Sequence, residues 1–350
     1  MKKVRVAING FGRIGRAFYK MAWERDDIEV VAVNDLGTIE SLAYLLKYDT
    51  VYGRAPFAVD FSNGNLVVFD GAKKLETKFV SSKEPSGLPW KDLQVDVVVE
   101  STGLFTSFDK AKFHLDQGAK KVVISAPAKD GDPSNTSGQA VHGETILLGV
   151  NEDKFGTCDI TSNASCTTNA ASPLIGVLHE ALGIEKAILS TVHGYTASQA
   201  LVDGPSKKDL REGRAAAENI VPSSTGAAIA VTKAFPALTG LFDGISIRVP
   251  VPVGSLVDVT FISKKPTTVE EVNKIIITAA QSERWAGLLT ATDEPIVSSD
   301  IIGVTIPSIV DLEMTRVVGG NLVKVMAWYD NEMGYTATLV NHVIKTAKGL

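Results

Sequence analysis

The stretch Val4-Arg5-Val6-Ala7-Ile8-Asn9-Gly10-Phe11-Gly12-Arg13-Ile14-Gly15 decides the fold of this chain. Six residues of strand-like character (4–9) run into a Gly-x-Gly-x-x-Gly turn, and a helical pattern follows over 14–25. In that setting the first glycine permits the tight turn and the second lets backbone approach a pyrophosphate. The third allows close packing of helix on strand. The first amides of the helix, with its dipole, favour the phosphate charge. The next strand, 29–34, ends in Asn34-Asp35, and Asp35 lies twenty residues beyond Gly15. An acid there suits the adenosine ribose hydroxyls of NAD and repels the additional phosphate of NADP. A plain glycine turn between strand and helix is the competing reading. No Gly-Lys-Ser/Thr ending follows the turn, which excludes an NTPase loop.

Outward from that turn, short apolar strands alternate with helical segments, the pattern of a parallel sheet covered on both faces. A helix is expected over 38–47. Three short runs with turn signals, 57–60, 65–69 and 75–80, predict a small antiparallel excursion. The parallel pattern then resumes with a strand over 95–100, a helix over 108–117 and a strand over 121–125. After Pro127 comes a polar segment, 129–143, rich in Asp, Ser, Gly and Asn, which is expected to be a surface insertion. Beyond Cys166 long strands succeed one another at 185–193, 245–249, 255–263 and 322–329, with helices over 224–234 and 269–283. The fold class expected is an α/β Rossmann-type dinucleotide-binding domain plus an α+β domain with a mostly antiparallel sheet. The first spans 1–165 and the second 166–330. In the last segment Leu339, Val340, Val343, Ile344 and Ala347 share one helical stripe.

A length of 350 residues agrees with two domains. The hydrophobic fraction of 45% beside 21% charged residues describes an ordered globular protein. A net charge of −5 argues against general affinity for nucleic acid or acidic membrane, so an anionic ligand would need a locally basic pocket. Two cysteines, Cys158 and Cys166, are too few for a disulfide framework or a zinc site. Met1-Lys2-Lys3 leads straight into the first strand and no apolar run reaches membrane-spanning length, so a cytoplasmic protein is the expectation.

Ser162-Asn163-Ala164-Ser165-Cys166-Thr167-Thr168-Asn169 follows a strand and precedes a helical run through His179 and Leu182. A cysteine at that junction faces helix amides that stabilise a thiolate and can cradle an oxyanion. Beside a histidine it is expected to ionise below the usual value of about 8.5. A small buried hydrophobe is the other reading of the same residue. Pro173 either sits in the first turn of the main helix or kinks a longer one. Cys158, just before the 160–162 strand, has no such setting and is expected to be structural.

His193 ends a strand at the start of a long charged stretch, 193–222, where it suits a base that activates a thiol. A satisfied histidine of core or surface is the alternative. His114, His142, His179 and His342 are assigned no role; His179-Glu180 begins a metalloprotease-like pattern, but Gly183 stands where the second histidine belongs. Among the basic residues, Lys207-Lys208 reads as a solvated face, whereas Arg211 and Arg214 are candidate anion contacts. Arg248 closes the apolar strand Ile245-Ser246-Ile247-Arg248-Val249, and a buried guanidinium needs an anionic partner. Ser223-Ser224-Thr225-Gly226 opens a helix and offers hydroxyls and amides to a phosphate.

Together with Glu100-Ser101-Thr102-Gly103, Ser125-Ala126-Pro127, Thr191-Val192-His193-Gly194-Tyr195-Thr196, Arg248-Val249-Pro250 and Trp328-Tyr329-Asp330-Asn331-Glu332, these segments resemble the phosphorylating glyceraldehyde-3-phosphate dehydrogenase family from Val4 to the end of the chain. The resemblance implies NAD-dependent oxidation of D-glyceraldehyde 3-phosphate to 1,3-bisphosphoglycerate through a thioester. Cys166 resembles the nucleophile and His193 the partner that raises its reactivity. Arg13, Ile14, Asp35, Lys83, Ser125 and Asn331 match cofactor contacts, beside Gly10, Gly12 and Gly15. Ser165, Thr167, Thr196, Arg214, Thr225, Gly226 and Arg248 match positions that hold the substrate phosphate and inorganic phosphate. The resemblance further implies that the C-terminal helix, within 331–350, completes the NAD domain, and that the protein is a homotetramer without nucleic-acid or membrane partners. Three positions depart from the pattern: the longer 129–143 insertion, Ala170 in place of a second cysteine, and Glu212 where some bacterial members carry arginine. Two other readings stand beside this one, an erythrose-4-phosphate dehydrogenase of the same fold and a non-catalytic NAD-binding protein.

Overall fold

The computed structural model describes residues 3–129, 141–206, 209–348 and 350. Most of the polar 129–143 insertion, and Lys207-Lys208, lie outside the described residues. The chain forms two compact units. The first comprises Met1–Ile146, Asp153–Ala164 and Leu339–Leu350; the second comprises Leu147–Glu152 and Ser165–Thr338.

The first unit is built on a nine-stranded sheet. Strand Val4–Asn9 lies at its centre, parallel to Ile28–Asn34 on one side and to Val97–Glu100 on the other. Beyond Val97–Glu100 come Lys121–Ile124, Ile160–Ser162 and Gly143–Thr145, all parallel. Strands buried on both faces need unbroken apolar runs, and Val97, Val98 and Val99, like Val122, Val123 and Ile124, are fully buried. The chain order reverses on either side of Val4–Asn9, and in open α/β sheets that crevice is where ligands sit. The antiparallel excursion is Ala58–Ser62, Asn65–Asp70 and Lys73–Val80, and it joins the main sheet because Lys73–Val80 pairs in parallel with Ile28–Asn34.

The helix expected over 108–117 is two short pieces, Phe108–Ala111 and Phe113–Asp116, the first capped by Ser107. The second carries His114 into the core. There Trp90 Nε1 donates to His114 Nδ1 at 2.9 Å, which leaves Nε2–H to donate to Glu100 Oε2 at 3.0 Å. Glu100 also accepts from Asn9 Nδ2 at 2.6 Å and from the amide and hydroxyl of Thr102. Four donors therefore satisfy a buried carboxylate directly beneath the Gly10 turn.

The second unit holds an eight-stranded mixed sheet, largely antiparallel. Its path runs Val221–Ser224, Phe242–Val249, Ile184–Gly194, Ser255–Ser263, Leu322–Tyr329, Ile309–Asp311 and Thr290–Thr292, with Arg316–Val318 paired beside Leu322–Tyr329. Helix Cys166–Leu182 packs on Ser255–Ser263 and Leu322–Tyr329 and against helices Ala227–Ala234 and Val269–Ala280. Pro173 lies inside this helix. An interior proline costs about 3 kcal/mol, but residues 167–178 are all buried, so packing holds the helix through it. The helix expected over 224–234 begins at Ala227, because residues 221–224 are pulled into the sheet as an edge strand beside Phe242–Val249.

Candidate active site

Cys166 is the first residue of helix Cys166–Leu182. Ser165 caps it: the Ser165 hydroxyl accepts from the Thr168 amide at 3.1 Å and lies 2.7 Å from Thr168 Oγ1. Ala164, fully buried, holds φ at +54°. For a residue with a Cβ that conformation costs on the order of 1 kcal/mol. A strained, buried backbone thus stands two residues before the thiol.

His193 and Arg248 face each other as paired residues of the parallel strands Ile184–Gly194 and Phe242–Val249. The pairing brings three groups together. Cys166 Sγ lies 3.4 Å from His193 Nε2, and Arg248 Nη1 lies 2.6 Å from His193 Nδ1. Beneath them Tyr329, buried, places its hydroxyl 2.8 Å from Thr167 Oγ1 and 2.8 Å from Thr191 Oγ1, with its ring edge-on to His193. Tyr329 and Thr191 have no role in the sequence reading; strand alternation could have pointed Tyr329 inward, but its meeting with Thr167 depends on packing.

Burial holds His193 far below its ordinary range, down to about 3, and the Arg248 charge adds to that shift against the Gly194 carbonyl. Burial also pushes the Cys166 thiol up, opposed by the Arg248 charge, by the Thr167 hydroxyl and by the amides of Thr167 and Cys166. The expected low ionisation of Cys166 thus meets a burial effect that the sequence does not display. Cys158 is buried, and its thiol donates to the Ile160 carbonyl at 3.2 Å.

Thr196, Arg214 and Thr225 hydrogen bond to near neighbours. Thr196 Oγ1 lies 3.1 Å from Ser198 Oγ, Arg214 Nε donates to Asp203 at 2.9 Å, and Thr225 Oγ1 accepts from the Ala227 amide at 3.2 Å. Gly226 caps helix Ala227–Ala234. Glu212 accepts from Ser223 Oγ at 3.0 Å. Asn331 Oδ1 accepts from the Gly254 amide and the Ser255 hydroxyl, both at 3.1 Å, which leaves its Nδ2 as a donor.

In the first unit the glycine turn has the shape a dinucleotide needs. Gly10 sits at φ +95°, and a Cβ there would lie 2.6 Å from the Thr102 nitrogen. A Cβ on Gly15 would lie 2.3 Å from the Gly10 carbonyl oxygen, so helix and turn touch backbone to backbone. Over Gly12 the space is open to 4 Å, the room a pyrophosphate takes. Asp35 ties this turn down: it accepts from the Phe11 amide at 2.7 Å and from the Gly37 amide at 2.8 Å. Each carboxylate oxygen retains a second acceptor site for a hydroxyl. Arg13 pairs with Asp49 at 2.6 Å and lies over the Tyr52 ring, while Ile14 and Ser125 are half-buried and Lys83 is exposed. These residues fit NAD. Of the other histidines, His114 and His342 are buried, and His342 lies 2.8 Å from Thr161 Oγ1 and 3.1 Å from Asn163 Oδ1, while His142 is exposed.

A switch-point crevice with this glycine turn, together with a unit that carries a thiol beside an imidazole, defines an NAD-dependent oxidoreductase. Residues 4–108 match the family model described as glyceraldehyde 3-phosphate dehydrogenase, NAD binding domain, and residues 165–331 match that of its C-terminal domain. The chain belongs to the glyceraldehyde-3-phosphate dehydrogenase family. It is 50% identical to the glyceraldehyde-3-phosphate dehydrogenase of Mycobacterium avium and 48% identical to that of Mycolicibacterium smegmatis, each across 99% of both chains. It is also 48% identical, across 97% of both chains, to glyceraldehyde-3-phosphate dehydrogenase 1 of Streptomyces avermitilis.

Proposed function

We propose that this protein oxidises D-glyceraldehyde 3-phosphate with NAD and inorganic phosphate, yielding 1,3-bisphosphoglycerate. The observation that carries the reading is the 3.4 Å approach of Cys166 Sγ to His193 Nε2 at the start of a capped helix. The Cys166 sulfur attacks the aldehyde carbon, the thiol proton passes by way of His193 Nε2 to the carbonyl oxygen to give a thiohemiacetal hydroxyl, and the Cys166 amide with His193 steadies that oxygen as charge develops on it. Bound NAD supplies the hydride acceptor. His193 takes the hydroxyl proton at Nε2 as the carbon is oxidised, leaving an acyl thioester on Cys166. A phosphate oxygen then attacks the acyl carbon, the C–S bond breaks, and the thiolate is restored. The thioester conserves the oxidation energy that hydrolysis would release as heat.

Arg248 supports the reading as a guanidinium with an unpartnered buried Nε, and Ser165, Thr167, Thr196, Arg214, Thr225 and Gly226 carry over as phosphate contacts by resemblance. Arg13, Ile14, Lys83, Ser125 and Asn331 carry over in the same way as cofactor contacts. The NAD-binding domain is taken as residues 1–165 with 331–350, and the catalytic domain as 166–330. A homotetramer in the cytoplasm is part of the proposal. It is supported by the apolar side chains Leu201, Val202, Leu210 and Ile220, each at least 70% exposed, which a lone subunit would leave in water. No helix among the described residues is long and apolar enough to cross a membrane.

The test is NADH formation with and without inorganic phosphate, using both glyceraldehyde 3-phosphate and erythrose 4-phosphate. Phosphate-dependent turnover that favours the triose supports the assignment. Faster turnover of the tetrose, or none of either, overturns it.

A further inference from the structure

Three strands of the nine-stranded sheet end in polar residues that meet side by side. Ile28–Asn34, Val4–Asn9 and Val97–Glu100 are neighbours, and Asn9 is in register with Asn34 on one side and with Glu100 on the other. The residues just before them, Val33, Ile8 and Val99, are fully buried, as the apolar interior of a parallel sheet requires. Yet Asn34, Asn9 and Glu100 are buried too. Such a row is costly unless each donor finds an acceptor. Each does, and along the row the donors point one way.

Glu100 sets that direction, because a carboxylate can only accept. Its Oε1 takes the amide and the hydroxyl of Thr102, and that hydroxyl accepts in turn from the Leu104 amide at 3.0 Å. Its Oε2 takes His114 Nε2 at 3.0 Å and Asn9 Nδ2 at 2.6 Å. Trp90 donates to His114 Nδ1, so the ring has only Nε2–H to offer Glu100. With Nδ2 turned to Glu100, Asn9 presents Oδ1 to Asn34 Nδ2 at 2.7 Å. Asn34 then presents Oδ1 to the Ser82 amide at 2.8 Å, and its Nδ2 also reaches the Ser82 carbonyl at 3.0 Å. The row thus ends by gripping one backbone residue at both N–H and C=O, and the next residue is Lys83. At its other end, the Thr102 amide held by Glu100 lies 2.6 Å from where a Cβ on Gly10 would stand, and the Ser101 hydroxyl donates to the Gly10 carbonyl at 2.7 Å.

We propose that Glu100 is a positioning residue for NAD: its acceptor-only carboxylate orients Asn9 and Asn34, and through them fixes the Ser82–Lys83 segment beside the Gly10 turn. A glutamine in its place has the same shape and cannot serve. Its amide nitrogen would face either the Thr102 amide, which cannot turn, or Asn9 and His114, which are donors as well. If Asn9 flips to accept, its Nδ2 meets that of Asn34, and a flip of Asn34 meets the Ser82 amide. The mismatch is passed along the row to the segment that carries Lys83. This deepens the NAD reading of the crevice and rests on it.

The experiment compares Glu100→Gln and Asn34→Leu, singly and together, in the full chain. Calorimetric titration with NAD, and with ADP-ribose, which lacks the nicotinamide, reads binding apart from turnover. Glu100→Gln should weaken both ligands on the order of tenfold, the effect of one buried donor left unpaired. The KM for NAD should rise with it, while kcat at saturating NAD stays unchanged. Because both substitutions cut one relay, the double variant should bind NAD about as weakly as the weaker single variant. Hydrogen exchange read by mass spectrometry should show residues 81–84 exchanging faster in Glu100→Gln, with the buried strand 121–124 unaltered. Unchanged NAD affinity in Glu100→Gln, effects of the two substitutions that simply add, or faster exchange shared equally by 121–124 overturns the proposal. If Glu100→Gln fails to fold, Asn34→Leu, which leaves Glu100 all four of its donors, decides by the same readouts. Failure of the NAD reading itself would appear in the unaltered protein, as no binding of NAD or ADP-ribose.

Discussion

The hydroxyl of Tyr329 lies 2.8 Å from Oγ1 of Thr167, and through that bond the last long strand of the second unit grips the first turn of the helix that bears Cys166. The same hydroxyl reaches Thr191 on the strand that ends in His193. One phenol therefore fixes the separation of thiol and imidazole. Tyr329→Phe should leave two buried hydroxyls short of a partner, at a cost of about 1–3 kcal/mol. The expected result is a lower melting temperature and a reduced kcat with the KM for NAD unchanged. Unaltered kcat would show that the clamp serves stability alone.

Asp35 has two duties in this structure, since it holds the amides of Phe11 and Gly37 and keeps acceptor capacity for ribose hydroxyls. Its replacement should therefore act on affinity as well as on cofactor choice. Asp35→Asn removes the charge that repels a 2′-phosphate but keeps one acceptor oxygen, so use of NADP should rise relative to NAD. Asp35→Ala also frees the glycine turn and should weaken NAD binding further. Titration of both variants with the two cofactors checks this; equal use of NAD and NADP by the unaltered protein would count against the assignment.

The two cysteines should differ in reactivity by setting. Cys158 is buried and donates to a carbonyl, whereas Cys166 is half-buried at a helix start with two amides and the Arg248 charge favouring its thiolate. An alkylating reagent should label Cys166 first, in step with loss of activity, and the rate should climb with pH because burial pushes the thiol up. Arg248→Ala removes the largest opposing influence and should slow labelling at a given pH. Peptide mapping decides, and label on Cys158 at the point of inactivation would sink the thioester mechanism.

Acid should destabilise the fold through its buried histidines. Burial, reinforced by Arg248 and Lys345 respectively, holds both His193 and His342 down to about 3, and burial lowers His114 against the pull of Glu100. In the unfolded chain each titrates near 6.5. Below that value the unfolded state binds protons that the folded state refuses, so stability is full above it and falls as pH drops towards about 3. Each such histidine contributes a slope of about 1.4 kcal/mol per pH unit inside that window. Denaturant midpoints measured across the window should decline with acid, and His342→Gln should flatten the decline. A midpoint indifferent to pH there would contradict the burial of these rings.

Much of the fold is legible in the sequence because it is written in local pattern. Strand Val4–Asn9 and its turn carry period, glycine spacing and acid within 35 residues, and Ser255–Ser263 alternates buried and half-buried residues along its whole length. What escapes is set by partners far away in the chain. The edge strand Val221–Ser224 forms because Phe242–Val249 offers it a ladder, and the break after Ala111 has no glycine or proline to announce it. At the candidate site, Cys166 and His193 stand out through their places at a helix start and a strand end. The meeting of Arg248 with Nδ1, and the hub at Tyr329, depend on strand register and packing depth, which no short motif encodes.

The first unit is discontinuous, and its final part is Leu339–Leu350, where His342 closes on Thr161 and Asn163. Those residues are synthesised after the whole of the second unit. The nucleotide-binding unit thus cannot finish folding until the second unit has been made, even though nearly all of it is synthesised first, and its buried Thr161 and Asn163 wait for a helix encoded more than 170 residues downstream. The second unit, Leu147–Glu152 and Ser165–Thr338, has all its residues once Thr338 is added and waits for nothing beyond it. Nascent chains halted before Leu339 should therefore hold a protease-resistant second unit beside an N-terminal half that is still open to cleavage.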